Sequence, residues 1–173
     1  MASSSGQQDY GNPAKVVRAV YPIFEKTLPK TAFNWARKRF FRPLKFPFRQ
    51  SELALMSQAH QTTVTVNNKK VIVYTWGTTG PTIFMQHGWA GKATQFSGFV
   101  KEFIKRGYQV VAADAPAHGN SSGKETSAFE IIQTDISIIK TIDNLAGCIG
   151  HSLGGMVMLN LLAQGQFSCK LVL

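Results

Sequence analysis

The segment that most constrains this 173-residue chain is Cys148-Ile149-Gly150-His151-Ser152-Leu153-Gly154-Gly155. A short apolar run, Ala146 to Ile149, enters a Gly-x-Ser-x-Gly turn, and an apolar helical pattern, Met156 to Ala163, leaves it. Strand, tight turn, helix is the order a nucleophile elbow requires. A serine at the tip of so sharp a turn sits in strained backbone, with the residues two before and two after it close together. Gly150 and Gly154 are therefore expected to be glycines because a Cβ would clash there. The serine oxygen would then stand clear of the sheet, at the positive end of the following helix.

The flanking sequence supplies a matching frame. Residues 62–76, TTVTVNNKKVIVYTW, alternate in strand fashion around Asn67-Asn68, and asparagine tolerates positive φ, so a hairpin is predicted there. Thr82 to Met85 reads as a buried strand ending in His87-Gly88-Trp89-Ala90-Gly91. A helix over 93–105 follows, with Phe96, Phe99, Val100, Phe103 and Ile104 on one face, and Gly107 stops it. Tyr108 to Ala113 is a further strand, running into Asp114-Ala-Pro-Ala-His118-Gly119-Asn120-Ser121. Thr126 or Ser127 is placed to cap a helix carrying Phe129, Ile132, Ile136, Ile139 and Ile142, and a helix is predicted over 153–164. Cys169 to Leu173 starts another strand. Alternating strands and helices with continuous apolar strands imply an α/β fold, a mostly parallel sheet covered by helices on both faces. Such sheets carry their sites at the carboxyl ends of the strands. The polar turns 87–91, 114–121 and 150–155 all fall at that edge.

Charge separates the chain into parts. The net charge is +10, and residues 13–50 hold ten Lys/Arg against Glu25 alone, a balance of +9. Within that segment Val16, Val17, Val20, Phe24 and Leu28 recur at helical spacing, interrupted by Pro22. Thr31 is placed to cap a second helix bearing Phe33, Trp35, Ala36, Phe40 and Phe41, and Arg42 to Arg49 reads as extended around Pro43 and Pro47. Two readings fit residues 15–49: aromatic residues packing onto the rest of the chain with the cations solvated, or peripheral contact with an anionic membrane. No motif of a nucleic-acid fold accompanies the charge, so no nucleic-acid partner is expected. The domain division is thus a leader at 1–12, expected to be disordered, a basic amphipathic helical segment at 13–50, and an α/β domain at 51–173. No apolar run has the length of a membrane span. Residues 1–12 lack a basic start and an apolar core, unlike a secretory signal. Cys148 and Cys169 fall in apolar runs and read as buried thiols in a reducing compartment, which implies a cytoplasmic protein. No Cys/His spacing suggests a metal site, and no nucleotide motif is present, so no cofactor is implied.

Taken together, His87-Gly88-Trp89, Asp114-x-x-x-His118-Gly119-x-Ser121 and Gly150-His151-Ser152-Leu153-Gly154-Gly155 resemble the α/β-hydrolase superfamily. Within it they are similar to the esterase, monoacylglycerol-lipase and serine-peptidase-like group, which often has glycine where this chain has Ala117. The likeness spans about residues 62–173. It implies a serine hydrolase of carboxylic esters, with Ser152 as nucleophile and an oxyanion hole formed by the backbone N–H groups of Leu153 and Trp89. His87, Gly88, Gly150, His151, Gly154, Asp114, His118 and Gly119 are then residues that shape the site's turns. His151 adjoins Ser152, but neighbouring side chains across a sharp turn point apart, so it is expected to be packed. His60 lies in a linker before the first strand. In the superfamily the triad runs Ser, then Asp or Glu, then His, yet residues 153–173 contain no Asp, Glu or His. The expectation is the nucleophile-bearing part of a hydrolase, with two further strand–helix units of ~30 residues each needed for the acid and base, and no turnover by this polypeptide alone. The alternative is a non-catalytic binding or membrane-associated protein on an incomplete hydrolase scaffold.

Overall fold

The computed structural model describes residues 13–169, 171 and 172; the leader 1–12 lies outside the described residues. The chain divides into two compact units, Met1–Phe40 and Phe41–Leu173.

The first unit is a helical pair. Helix α1 (Pro13–Thr27) continues through Pro22, where the sequence pattern predicts an interruption. A proline removes one N–H from the ladder, and the bonds on either side carry the helix on. Helix α2 (Pro29–Phe41) begins at Pro29, two residues before Thr31, because a proline at the first helical position gives up only an N–H that has no intrahelical partner. Leu28 N–H donates to Phe24 O and Ala32 N–H to Leu28 O, both at 2.9 Å. The Tyr21 and Trp35 rings meet at 5.9 Å.

The second unit begins at Phe41; its residues 42–49 have no regular structure and lead into a short helix α3 (Gln50–Met56). Strands β1 (His60–Val66) and β2 (Lys69–Trp76) form the predicted hairpin. Its turn residues Asn67 and Asn68 adopt φ of 48° and 60°, the left-handed pair a two-residue hairpin requires. His60 is therefore the first residue of β1 and not part of a linker. Then come β3 (Thr82–Gln86), a 3-10 turn (Ala93–Phe96) leading into α4 (Ser97–Lys105), and β4 (Gln109–Ala113). They are followed by α5 (Ala128–Ile139), β5 (Leu145–Gly150), α6 (Leu153–Ala163) and β6 (Leu171–Val172). The six strands form one sheet in the order β1-β2-β4-β3-β5-β6. The pairs β1/β2 and β2/β4 are antiparallel, and β3/β4, β3/β5 and β5/β6 are parallel.

Alternation along the strands separates two cores. Phe84, Val111, Ala113 and Cys148 turn to one face with Ile131 and Ile138 of α5 and Val157, Met158 and Leu161 of α6. Ile83, Met85, Val110, Ala112 and Ile149 turn to the other, with Leu55 of α3 and Phe96 and Val100 on the α4 side. Phe99 and Ile104, predicted on the buried face of that helix, are instead exposed. Ser127 caps α5, its Oγ accepting from Glu130 N–H at 3.3 Å. All three polar turns lie at the carboxyl ends of β3, β4 and β5.

Residues 41–50, grouped by charge with the preceding helices, belong to the second unit and line its polar turns. Phe41 O accepts from Thr126 N–H, Lys45 Nζ donates to Gly119 O at 3.0 Å and Ser121 O at 2.9 Å, and Pro47 O accepts from Lys92 Nζ. Lys45 thus works inside this unit, whereas the charge pattern alone suggests a solvated or membrane-facing cation.

Candidate active site

Ser152 sits between the last residue of β5 and the first of α6 with φ 54° and ψ −118°. A non-glycine residue holds that conformation only where its surroundings enforce it, at a cost of roughly 1–3 kcal/mol. The two glycines answer different neighbours. A Cβ at Gly150 would come within 2.5 Å of the Gly154 carbonyl, so the elbow cannot close around a side chain there. A Cβ at Gly154 would strike the backbone carbonyls of Gln86 and His87. The expected mutual clearance holds for Gly150, while Gly154 is a glycine because α6 starts hard against the end of β3. His151 N–H donates to Gln86 O at 3.0 Å and fastens the elbow to the same strand.

The turn after β3 runs directly over the elbow. A Cβ on Gly88 would lie 3.1 Å from Ser152 Cβ and 3.2 Å from His151 Nδ1. His151 is exposed, not packed, and its ring and the Ser152 side chain both flank Gly88. Among the described residues the backbone N–H groups of Trp89 and Leu153 donate no hydrogen bond. Two free donors therefore border the serine, one from each turn. Trp89 is partly exposed and its ring meets that of His118 edge-on at 5.3 Å.

Two buried histidines tie the β3 and β4 turns to each other. His87, from the first turn, accepts at Nε2 from Ala115 N–H of the second at 3.0 Å. His118, from the second, accepts at Nε2 from Ala90 N–H of the first, also at 3.0 Å. In each ring the other nitrogen must then carry the proton, and it donates to a carbonyl: His87 Nδ1 to Gly88 O at 2.7 Å, His118 Nδ1 to Pro116 O at 3.0 Å. Burial pushes the His87 pKa down to about 4, against an upward pull from the Gly88 carbonyl. Burial and then the neighbouring His87 push His118 down to about 4 as well. Both rings are neutral at neutral pH, and neither has a free lone pair for a hydroxyl proton. The two non-glycine residues that occupy left-handed backbone in these turns, Ala90 (φ 59°) and Ala117 (φ 65°), lie beside these bonds. At Ala117 a glycine would adopt the same left-handed conformation without the Cβ penalty.

Asp114 anchors the turn after β4. Its Oδ1 accepts from Ala93 N–H at 2.9 Å, and its Oδ2 from Asn120 N–H at 2.8 Å and Tyr74 Oη–H at 3.1 Å. Gly119 passes so close that a Cβ would overlap the carboxylate. Burial, and then the Asp114 charge, push the Tyr74 hydroxyl above its ordinary range. Ser121 Oγ donates to Asp114 O and accepts from Ile72 N–H, locking the turn onto β2. The Asp114 carboxylate is filled by these donors and serves the turn.

Sequence reasoning missed a second polar anchor. Lys92, just beyond the β3 turn, is buried and its Nζ lies 2.9 Å from Glu52 Oε2 and 4.3 Å from the centroid of Phe48. Burial alone would raise the Glu52 carboxyl; the Arg49 N–H and the Lys92 ammonium outweigh it and hold it below its usual value. The only local sign of this anchor is Glu52 at the third position of α3, because its partner is 40 residues away. His60, at the start of edge strand β1, stands four strands from β5 in the sheet order, or roughly 19 Å at the usual strand spacing. Among the described residues no cluster of His, Cys, Asp and Glu could hold a metal ion.

The sequence profile of the alpha/beta hydrolase fold matches residues 81–170, just over half of the chain. A non-heme haloperoxidase of Mycobacterium phage D29 is 31% identical over 109 residues, which are 61% of this chain and 38% of that protein. The sn-1-specific diacylglycerol lipase ABHD11 of Mus musculus is 32% identical over 87 residues, 49% of this chain and 28% of the lipase. The chain thus spans well under half the length of these curated relatives. Among solved structures, a thioesterase domain from the curacin biosynthetic pathway superposes with a TM-score of 0.61 at 21% identity, over 66% of this chain and 44% of that one. The epoxide hydrolase VrEH1 from Vigna radiata gives 0.59 at 22% identity, over 68% and 39%. Likeness at that identity carries the fold.

Proposed function

The chain belongs to the alpha/beta hydrolase fold family, and from that premise we propose that it carries the nucleophile and oxyanion half of a serine hydrolase acting on carboxylic esters. The observation that carries this reading is the strained Ser152 at the head of α6, bordered by two undonated N–H groups. In the proposed reaction Ser152 Oγ attacks the acyl carbonyl, and the oxyanion that forms is held by the N–H groups of Leu153 and Trp89. Each such donor is worth about 3–4 kcal/mol of transition-state stabilisation in comparable sites. Collapse of the tetrahedral species breaks the ester C–O bond, the alcohol leaves with a proton, and water then hydrolyses the acyl-enzyme to the free acid and restores the Ser152 hydroxyl. A related protein named as a diacylglycerol lipase supports an acyl substrate.

A hydroxyl needs a base at neutral pH. His87 and His118 have their lone pairs occupied, His60 is four strands away, His151 flanks Gly88 without a hydrogen bond to Ser152 among the described residues, and residues 153–173 contain no His, Asp or Glu. The 173-residue polypeptide is therefore expected to show no steady p-nitrophenyl ester hydrolysis above a Ser152→Ala control. Imidazole supplied in solution stands in for the missing base. A fluorophosphonate probe plus imidazole should then modify Ser152, as read by peptide mass spectrometry. Labelling that is unchanged in Ser152→Ala, or absent at Ser152 with imidazole present, overturns the nucleophile assignment. The occupied histidines favour a second reading, a binding protein on the same scaffold, and that second result would support it.

A further inference from the structure

We propose that the helical pair α1–α2 is a docking surface for an anionic membrane, a role independent of the catalytic reading above. Helix α1 is two-faced. Val16, Val20, Ile23 and Thr27 follow one another at intervals of three and four residues along one side, while Lys15, Arg18 and Lys26 lie on the other. That apolar side is bare: Val16 is 57%, Val20 55% and Ile23 66% exposed. The connecting Leu28 is exposed too, and Phe33 of α2 is 67% exposed. Val16, Val17, Val20, Tyr21, Phe24 and Trp35 line an apolar groove of about 230 Å³ within the pair.

Charge selects the occupant. Residues 13–40 carry Lys15, Arg18, Lys26, Lys30, Arg37, Lys38 and Arg39 against Glu25, a balance of +6. A second copy of the chain seated on this face would bring two such surfaces together. Nucleic acid would engage the cations but has no use for bare valine and isoleucine. An anionic bilayer satisfies both features, since acyl chains accept the aliphatic and aromatic side chains while headgroups meet Lys and Arg reaching outward on their stems. No helix among the described residues is long and apolar enough to cross a membrane, so the contact is peripheral.

Vesicle sedimentation of the full chain tests this. Vesicles of phosphatidylcholine with about 30 mol% phosphatidylglycerol should pull the protein down at about 50 mM salt. Partitioning should weaken at least ~10-fold on pure phosphatidylcholine or at about 500 mM salt. Val20→Asp with Ile23→Asp, both at exposed positions, should weaken partitioning ~10-fold or more with an unchanged circular dichroism spectrum, and Lys38→Glu with Arg39→Glu should do the same. The proposal is overturned by equal partitioning onto charged and neutral vesicles, by no sedimentation with anionic vesicles at low salt, or by variants that bind like the parent. A dimer in analytical ultracentrifugation that Ile23→Asp converts to monomer would likewise overturn it, because the face would then belong to a second copy.

Discussion

Two aspartates of the second unit are equally buried and are treated in opposite ways. Asp114, at the carboxyl edge of the sheet, collects three donors. Asp135, midway along α5, lies among Ile131, Ile138 and Ile139 against the core that holds Cys148, and neither of its oxygens has a hydrogen-bond partner among the described residues. Burial holds the Asp135 carboxyl well above the ordinary carboxylate range, and it also pushes the nearby Cys148 thiol up. One carboxyl is an anchor whose oxygens take two backbone N–H groups and a hydroxyl in place of water. The other avoids the cost of desolvation by keeping its proton. The polar edge is therefore built to hold charge and hydrogen bonds in fixed places, and the core under α5 only tolerates them.

Removing the Asp114 carboxyl is the largest expected break in that comparison. Asp114→Ala leaves two backbone N–H groups and the Tyr74 hydroxyl without their acceptor inside the protein, and should lower unfolding stability by about 3–5 kcal/mol in urea titrations. A loss below about 1 kcal/mol would mean that water replaces the carboxylate and the anchor is not one.

Acid sharpens the comparison by acting on the two regions with opposite signs. His87 and His118 are held at about 4, below their unfolded value. Between pH 6.5 and 4 the unfolded chain takes up protons that the folded edge refuses, so stability falls as pH falls. Full burial would make this on the order of 3 kcal/mol for each ring. His118→Gln, whose amide oxygen can accept in place of Nε2, should roughly halve the fall in melting temperature over that window.

Asp135 runs the other way. Its folded pKa is raised, so it contributes most below the unfolded carboxylate value and loses that contribution as pH rises. Asp135→Asn should stabilise the protein by about 1–2 kcal/mol at pH 7, with the gain shrinking toward pH 4. A gain that does not change with pH would show that Asp135 is not held protonated.

Much of the fold was legible in the sequence because its signals are local. Asn67-Asn68 announced the hairpin through positive φ, and Gly150-x-Ser152-x-Gly154 announced the elbow through close backbone approach. The three polar turns at the strand ends followed from alternation of strand and helix. What escaped is what depends on distant partners. Lys45 reaches carbonyls more than 70 residues away, and Lys92 pairs with Glu52, so neither leaves a periodic trace. Helix α3 is seven residues long, too short for its period to stand out. Asp135 did leave one: it occupies the i+4 place between Ile131 and Ile139 on a buried stripe, where its polarity was the signal to read. His151 was misjudged because the turn that would cover it runs past Gly88, which has no side chain to do so.

The crossed histidine bonds have a kinetic meaning as well. Each loop at the site's edge supplies the acceptor that the other loop's backbone requires, so neither reaches its final shape while the other is open. The two should order in one step, and amide protons of Ala90 and Ala115 should exchange with solvent at matched rates, as members of a single opening unit. A fluctuation that frees the turn after β4 disassembles the turn after β3 with it, so the two turns stand or fall together as one foldon.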